Sequence, residues 1–146
     1  YSSVSKPMQL HCQNIPMKFM VTKLARIFPK LKLQFELNIE FIWADQPALE
    51  QVLINLLKNA VEADAKLVSL HVINVNGYTK LVLTDDGHGF ANPENILVPL
   101  FSTKQNGQGL GLNFCRHIVM QHGGRFDIAN NDAGGVIAVI ELPNPK

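Results

Sequence analysis

The chain has 146 residues and a mass of 16.2 kDa, the size of one ordinary domain that buries about two-thirds of its unfolded surface. With 47% apolar and 17% charged residues, 10 Gly, 8 Pro and 2 Cys, it is neither a disordered tail, a collagen-like repeat nor a disulfide-stapled miniprotein. Thirteen basic and twelve acidic residues give a net charge of +1, which points to neither nucleic acid nor a membrane surface, and no apolar run reaches the roughly 18 residues of a bilayer span.

The elements follow in chain order. Residues 8–13 read as a short strand. Pro16 then opens a helix in which Met17, Met20, Val21, Leu24, Ile27 and Phe28 recur at three- and four-residue steps until Pro29 stops the pattern. Leu31, Leu33, Phe35, Leu37, Ile39 and Phe41 alternate with polar residues, which predicts one strand over 31–41 with a wet face. Trp43 reads as core. Asp45 caps the next helix, Pro47 suits its first turn, and Leu49, Val52, Leu53, Leu56, Ala60 and Ala63 form its apolar stripe. Strands over 67–75 and 78–84 flank Asn76-Gly77, a strong hairpin signal.

Nine of the ten glycines lie from Gly87 onward. The stretch 86–108 reads as loop, with one helical turn near Pro93–Leu97. A helix over 109–122 ends at Gly123-Gly124, and strands 125–130 and 136–142 close the chain as a hairpin. Helices separated by hairpins predict a single α/β domain, a two-layer sandwich of helices on a mixed sheet, and not a doubly wound parallel fold.

Charge is unevenly spread. Lys6, Lys18, Lys23, Arg26, Lys30 and Lys32 stand without an acid in the first 32 residues, and the remainder holds seven bases and twelve acids. Apolar residues interrupt these bases at helical spacing, so they read as the solvated face of a helix and not as a nucleic-acid-binding arm. Cys12 and Cys115 belong to no CxxC and read as two buried thiols of a reducing compartment. The start, Tyr1-Ser-Ser-Val-Ser-Lys6, has no signal-peptide pattern. Lacking an initiating Met, the chain reads as a piece of a longer protein.

A loop of more than twenty residues in a compact domain usually has a function. This one is bounded by Asp85-Asp-Gly87-His-Gly89 after a strand and Gly107-Gln-Gly109-Leu-Gly111-Leu112 before a helix. The second cluster is no P-loop, and its GxGxG spacing misses the dinucleotide fingerprint. On residues alone it serves either phosphate binding or tight turning and close helix packing. In the helix before it, Asn55, Asn59 and Glu62 fall within roughly 60° on the wheel, bordering the apolar stripe. Two asparagines a turn apart are poor helix formers. They serve either to tie the helix to a loop by side-chain hydrogen bonds or as neutral oxygen ligands to Mg²⁺ carried by a polyphosphate.

Together these segments resemble the boxes of sensor histidine kinases. Gln51-Val-Leu-Ile-Asn55-Leu-Leu-Lys-Asn59-Ala is similar to the N box, Asp85-Asp-Gly87-His-Gly89 to the first glycine box, Pro99-Leu-Phe101-Ser-Thr-Lys104 to the F box and Gly107–Leu112 to the second glycine box. The resemblance covers about residues 10–143. It implies the Bergerat-type ATP-binding fold shared with gyrase, MutL and the heat-shock chaperone ATPases, with residues 1–8 the end of a linker from a dimerisation domain.

By resemblance, Asp85 accepts a hydrogen bond from the adenine amino group, and Gly87 and Gly89 let the backbone close over the base. Asn59 is the main Mg²⁺ ligand and Asn55 its companion. Gly107, Gly109 and Gly111, with the N–H groups of Leu110 and Leu112, hold the phosphates. Phe101 anchors a lid over 90–108 and Lys104 is its phosphate-facing cation. ATP and Mg²⁺ are the implied cofactors. In hydrolysing relatives a Glu stands where Asn55 stands, and an amide has no pKa for taking a proton from water.

The resemblance therefore implies a protein-histidine kinase domain that supplies the γ-phosphoryl group to a histidine on a separate dimerisation domain, from which a response regulator receives it. No His here has the phosphoacceptor context, so no residue of this piece is assigned as catalytic. A cytoplasmic domain is implied, without nucleic-acid or direct membrane contact, in a parent either anchored or soluble. A hydrolysing ATPase of the same superfamily and a nucleotide-responsive protein-binding module are the rivals.

Overall fold

The computed structural model describes residues 9–91 and 108–145. Its elements are β1 (Cys12–Pro16), α1 (Met17–Ile27), β2 (Lys32–Leu37), β3 (Phe41–Asp45), α2 (Gln46–Glu62), β4 (Leu67–Val75), β5 (Tyr78–Asp85), α3 (Gln108–Gln121), β6 (Arg125–Asn130) and β7 (Val136–Pro143). Five strands form a mixed sheet in the order β2-β4-β5-β7-β6, in which β2 runs parallel to β4 and the other pairs are antiparallel. The helices pack on one face. Val68, Leu70 and Val72 of β4, Leu81 and Leu83 of β5, and Ala138, Ile140 and Leu142 of β7 are buried beneath them. The two-layer α/β expectation holds. Among the described residues no helix is long and apolar enough to cross a membrane.

The first third differs from the sequence reading. The opening strand lies at Cys12–Pro16, and residues 31–41 are not one strand. The chain bends at Asn38 and Glu40, and β3 leaves the main sheet to pair with β1, Ile42 opposite Ile15. The buried face changes parity there: Phe41 is 52% exposed while Ile42 and Ala44 are buried. Trp43 is only half-buried and stands outside the core. The bend is fixed from outside, because the Glu40 carbonyl accepts the Met17 N–H at 2.8 Å and so supplies one of the acceptors that the start of α1 lacks.

Local chemistry accounts for α2. The Asp45 Oδ1 accepts the Ala48 N–H at 3.0 Å and Pro47 sits in the first turn. At the far end Asp64 takes a positive φ of 62° and the Ala65 N–H reaches back to Ala60 O at 2.9 Å, the pattern of a Schellman stop. Asn76 and Gly77 both have positive φ, as a type I′ hairpin requires. Cys12 and Cys115 are both free thiols, and only Cys115 is buried.

Candidate functional site

Period two along β5 carries Leu81, Leu83 and then Asp85 onto the helix-covered face. Asp85 is thus a buried carboxylate at a strand end. Its Oδ1 accepts the Gly87 N–H at 2.8 Å and the Val136 N–H at 3.3 Å, and its Oδ2 has no protein donor among the described residues. Burial raises the Asp85 pKa from 3.8, opposed by those two N–H groups.

Turn and helix are brought together by Gly87. A Cβ there would stand 2.7 Å from the Ala63 carbonyl oxygen, which also accepts the His88 N–H at 3.0 Å. Only a glycine lets the turn lie this close to the end of α2. Asn59, one turn earlier on α2, therefore shares a small cavity with Asp85, Gly89, Phe90 and Val136. The Asn59 Nδ2 is buried and has no hydrogen-bond partner among the described residues. An unsatisfied buried N–H donor is costly; the fit to the implied Mg²⁺ rests instead on the Asn59 Oδ1, a neutral amide oxygen of the kind a hard cation takes, to which no hydrogen bond is made among the described residues. The enclosed space is about 20 Å³, room for roughly one water.

Asn55 is placed differently. Its Oδ1 accepts the Gln51 Nε2–H at 2.9 Å and its Nδ2 donates to Gly111 O at 3.4 Å, so in this structure it ties α2 to α3. The neighbouring contact is Cys115 Sγ to Val52 O at 3.7 Å, and burial pushes the Cys115 thiol up to about 12. At Gly111 a Cβ would meet nothing nearer than Asn55 Nδ2 at 3.9 Å, so packing among the described residues does not demand this glycine. Because α3 begins at Gln108, Gly109 and Leu110 belong to the first N–H groups, which have no acceptor inside the helix. Leu112 comes a full turn later, with its side chain in the core. Phe101, Lys104 and Gly107 lie outside the described residues, as do the helical turn near Pro93–Leu97 and residues 1–8.

The β6–β7 turn forms a wall that the sequence reading left without a role. Gly135, at φ +77°, is packed so tightly on the Asp85 carbonyl that no Cβ fits. Asn130 Oδ1 accepts the Phe90 N–H at 2.8 Å and Asn130 Nδ2 donates to Phe90 O at 2.9 Å. An Asn before a glycine-rich turn reads as turn chemistry, and nothing local shows that its side chain reaches forty residues back.

Comparison with known proteins matches residues 44–146 to the family of histidine kinase-, DNA gyrase B-, and HSP90-like ATPases, and the chain belongs to that family. It is 31% identical over 121 residues to the sensor protein FixL of Bradyrhizobium diazoefficiens, covering 78% of this chain and 24% of FixL. It is 35% identical over 120 residues to the sensor histidine kinase ZraS of Escherichia coli K12, covering 78% of this chain and 26% of ZraS. The chain thus spans about a quarter of the length of these curated relatives. Among solved structures, the nucleotide-free catalytic domain of histidine kinase ThkA superposes with a TM-score of 0.78 at 26% identity, over 92% of this chain and 97% of that one. Full-length ShkA in complex with AMPPNP shares the fold at a TM-score of 0.80 and 21% identity, over 96% of this chain and 32% of that one.

Proposed function

We propose that this chain is the ATP-binding catalytic domain of a sensor histidine kinase. It binds Mg²⁺-ATP and presents the γ-phosphoryl group to a histidine on a separate dimerisation domain of the parent protein, which works on the cytoplasmic side. The observation that carries the reading is the cavity shared by Asn59, whose Nδ2 has no partner among the described residues, and Asp85, whose Oδ2 has no donor among them. A carboxylate there orients a base through its exocyclic amine and disfavours a guanine carbonyl. The first N–H groups of α3 suit phosphate oxygens. Asn59 would hold the magnesium ion, which supplies charge neutralisation on the polyphosphate, while Asn55 ties α2 to α3 beside it. The domain then contributes positioning and electrostatics, the main needs of phosphoryl transfer.

Transfer to protein is favoured over hydrolysis by Asn55. Its amide is held between Gln51 and Gly111 and offers no base for water. As for the next carrier, the similar kinase ThkA forms a complex with the response regulator protein TrrA, and a receiver domain is the partner proposed here. The test is incubation of the chain with ATP carrying a labelled γ-phosphate, with and without the parent's dimerisation domain. Acid-labile label should appear on the dimerisation domain, with free phosphate staying near background when the chain is alone. Rapid phosphate release by the chain alone would instead identify a hydrolysing ATPase.

A further inference from the structure

The cavity beside Asp85 is lined by α2, by β5, β6 and β7, and by the turn that follows Asp85. The helix α2 and strands β5, β6 and β7 are fixed by the core. The remaining wall is Gly89-Phe90, a stretch outside any helix or strand. Its backbone is nonetheless held. Asn130 at the end of β6 accepts the Phe90 N–H and donates to the Phe90 carbonyl, at 2.8 and 2.9 Å, so one side-chain amide imitates a two-bond strand bridge. Gly89 permits this approach: a Cβ there would stand 2.7 Å from Asn130 Oδ1, and its φ is +79°. Asn130 itself is placed by β6, where it pairs with Val136 of β7, the residue whose N–H reaches the Asp85 carboxylate.

Resting on the nucleotide-binding reading above, we infer that Asn130 is a positioning residue for that site, gripping the backbone of Phe90 so that the base-recognising turn is formed before the nucleotide arrives. Both bonds go to main-chain atoms, while the Phe90 side chain packs against the edge of the core. Without the grip, the turn must be ordered by the ligand itself, and affinity falls by the fraction of chains in which it is already formed.

The experiment compares the 146-residue chain with its Asn130→Ala and Asn130→Asp variants, by titration with AMPPNP and its guanine counterpart and by amide hydrogen exchange. In Asn130→Ala the β6–β7 amides should stay protected and the Phe90 amide should exchange at least about tenfold faster. The AMPPNP Kd should rise by about tenfold, with the adenine-over-guanine preference reduced. Asn130→Asp keeps the acceptor and loses only the donor, so the Phe90 amide should stay protected and the Kd should rise less. Should Asn130→Ala fail to fold, Asn130→Asp with unchanged Kd and preference would overturn the inference. So would faster Phe90 exchange in a folded Asn130→Ala chain that binds both nucleotides as before. A wild-type chain that ignores AMPPNP while its Phe90 amide is protected would refute the nucleotide reading itself, and the inference with it, which separates the two failures.

Discussion

Replacing Asn59 with Ala should stabilise the nucleotide-free chain, an unusual expectation for a half-buried residue. The Asn59 Nδ2 is buried without a hydrogen-bond partner among the described residues, a state that costs about 1–3 kcal/mol. Ala is also the better residue in a helix interior, by up to about 0.7 kcal/mol. Against these stands the packing lost with the amide, about 1 kcal/mol for an average truncation. The net runs from about zero to a gain of about 2.7 kcal/mol. For a chain of this size that raises Tm by up to roughly 8 °C. Thermal and urea unfolding without nucleotide reads it, with Asn59→Asp as the size-matched control: a second carboxylate in the Asp85 cavity should lower Tm. If Asn59→Ala melts more than about 3 °C below the wild type, the amide is part of the packing and its poor local fit is not a sign of ligand binding.

Three further expectations follow from the same site and its supports. Asp85, buried with its pKa raised from 3.8, weakens the fold when charged. Its contribution is most favourable below the unfolded pKa and is lost as pH rises through the folded value, so Asp85→Asn should gain stability over the wild type across that window and hold the gain to neutrality; a pH-independent difference in urea midpoints would count against this. Gly135→Ala, forced onto the Asp85 carbonyl at positive φ, should cost at least about 2 kcal/mol. Gly134→Ala, at φ +106° with open space around it, should cost about 1 kcal/mol from backbone strain alone, and equal costs in denaturant melts would contradict the packing described. Finally, Cys115, buried with its thiol pushed up to about 12, should resist alkylation at pH 8 until the chain unfolds, whereas Cys12 reacts first; prompt labelling of both would show that α2 and α3 open locally.

Legibility in the sequence followed the range of the interactions. The start of α2 and the Asn76-Gly77 turn were readable because a cap and a type I′ turn are settled within four residues. The break between β2 and β3 was not, since the alternation runs unbroken from Leu31 to Phe41 and the bend depends on Met17 donating to Glu40 and on β1 pairing. At the site, the resemblance singled out Asn59 and Asp85, and the structure lines one cavity with both. Physical chemistry alone left the two asparagines open between tying loops and binding metal. Here they divide, Asn55 bonded to Gln51 and Gly111 and the Asn59 Nδ2 unpartnered among the described residues. Asn130 was invisible because its partner Phe90 lies forty positions away.

The most direct measurement is calorimetric titration of the wild-type chain with an ATP analogue, with and without Mg²⁺, beside Asn59→Ala and Asp85→Asn. Wild type should bind more tightly with Mg²⁺, Asn59→Ala should lose that dependence, and Asp85→Asn should lose its preference for adenine. Equal affinities and equal Mg²⁺ dependence in all three chains would contradict a magnesium-nucleotide site at this cavity.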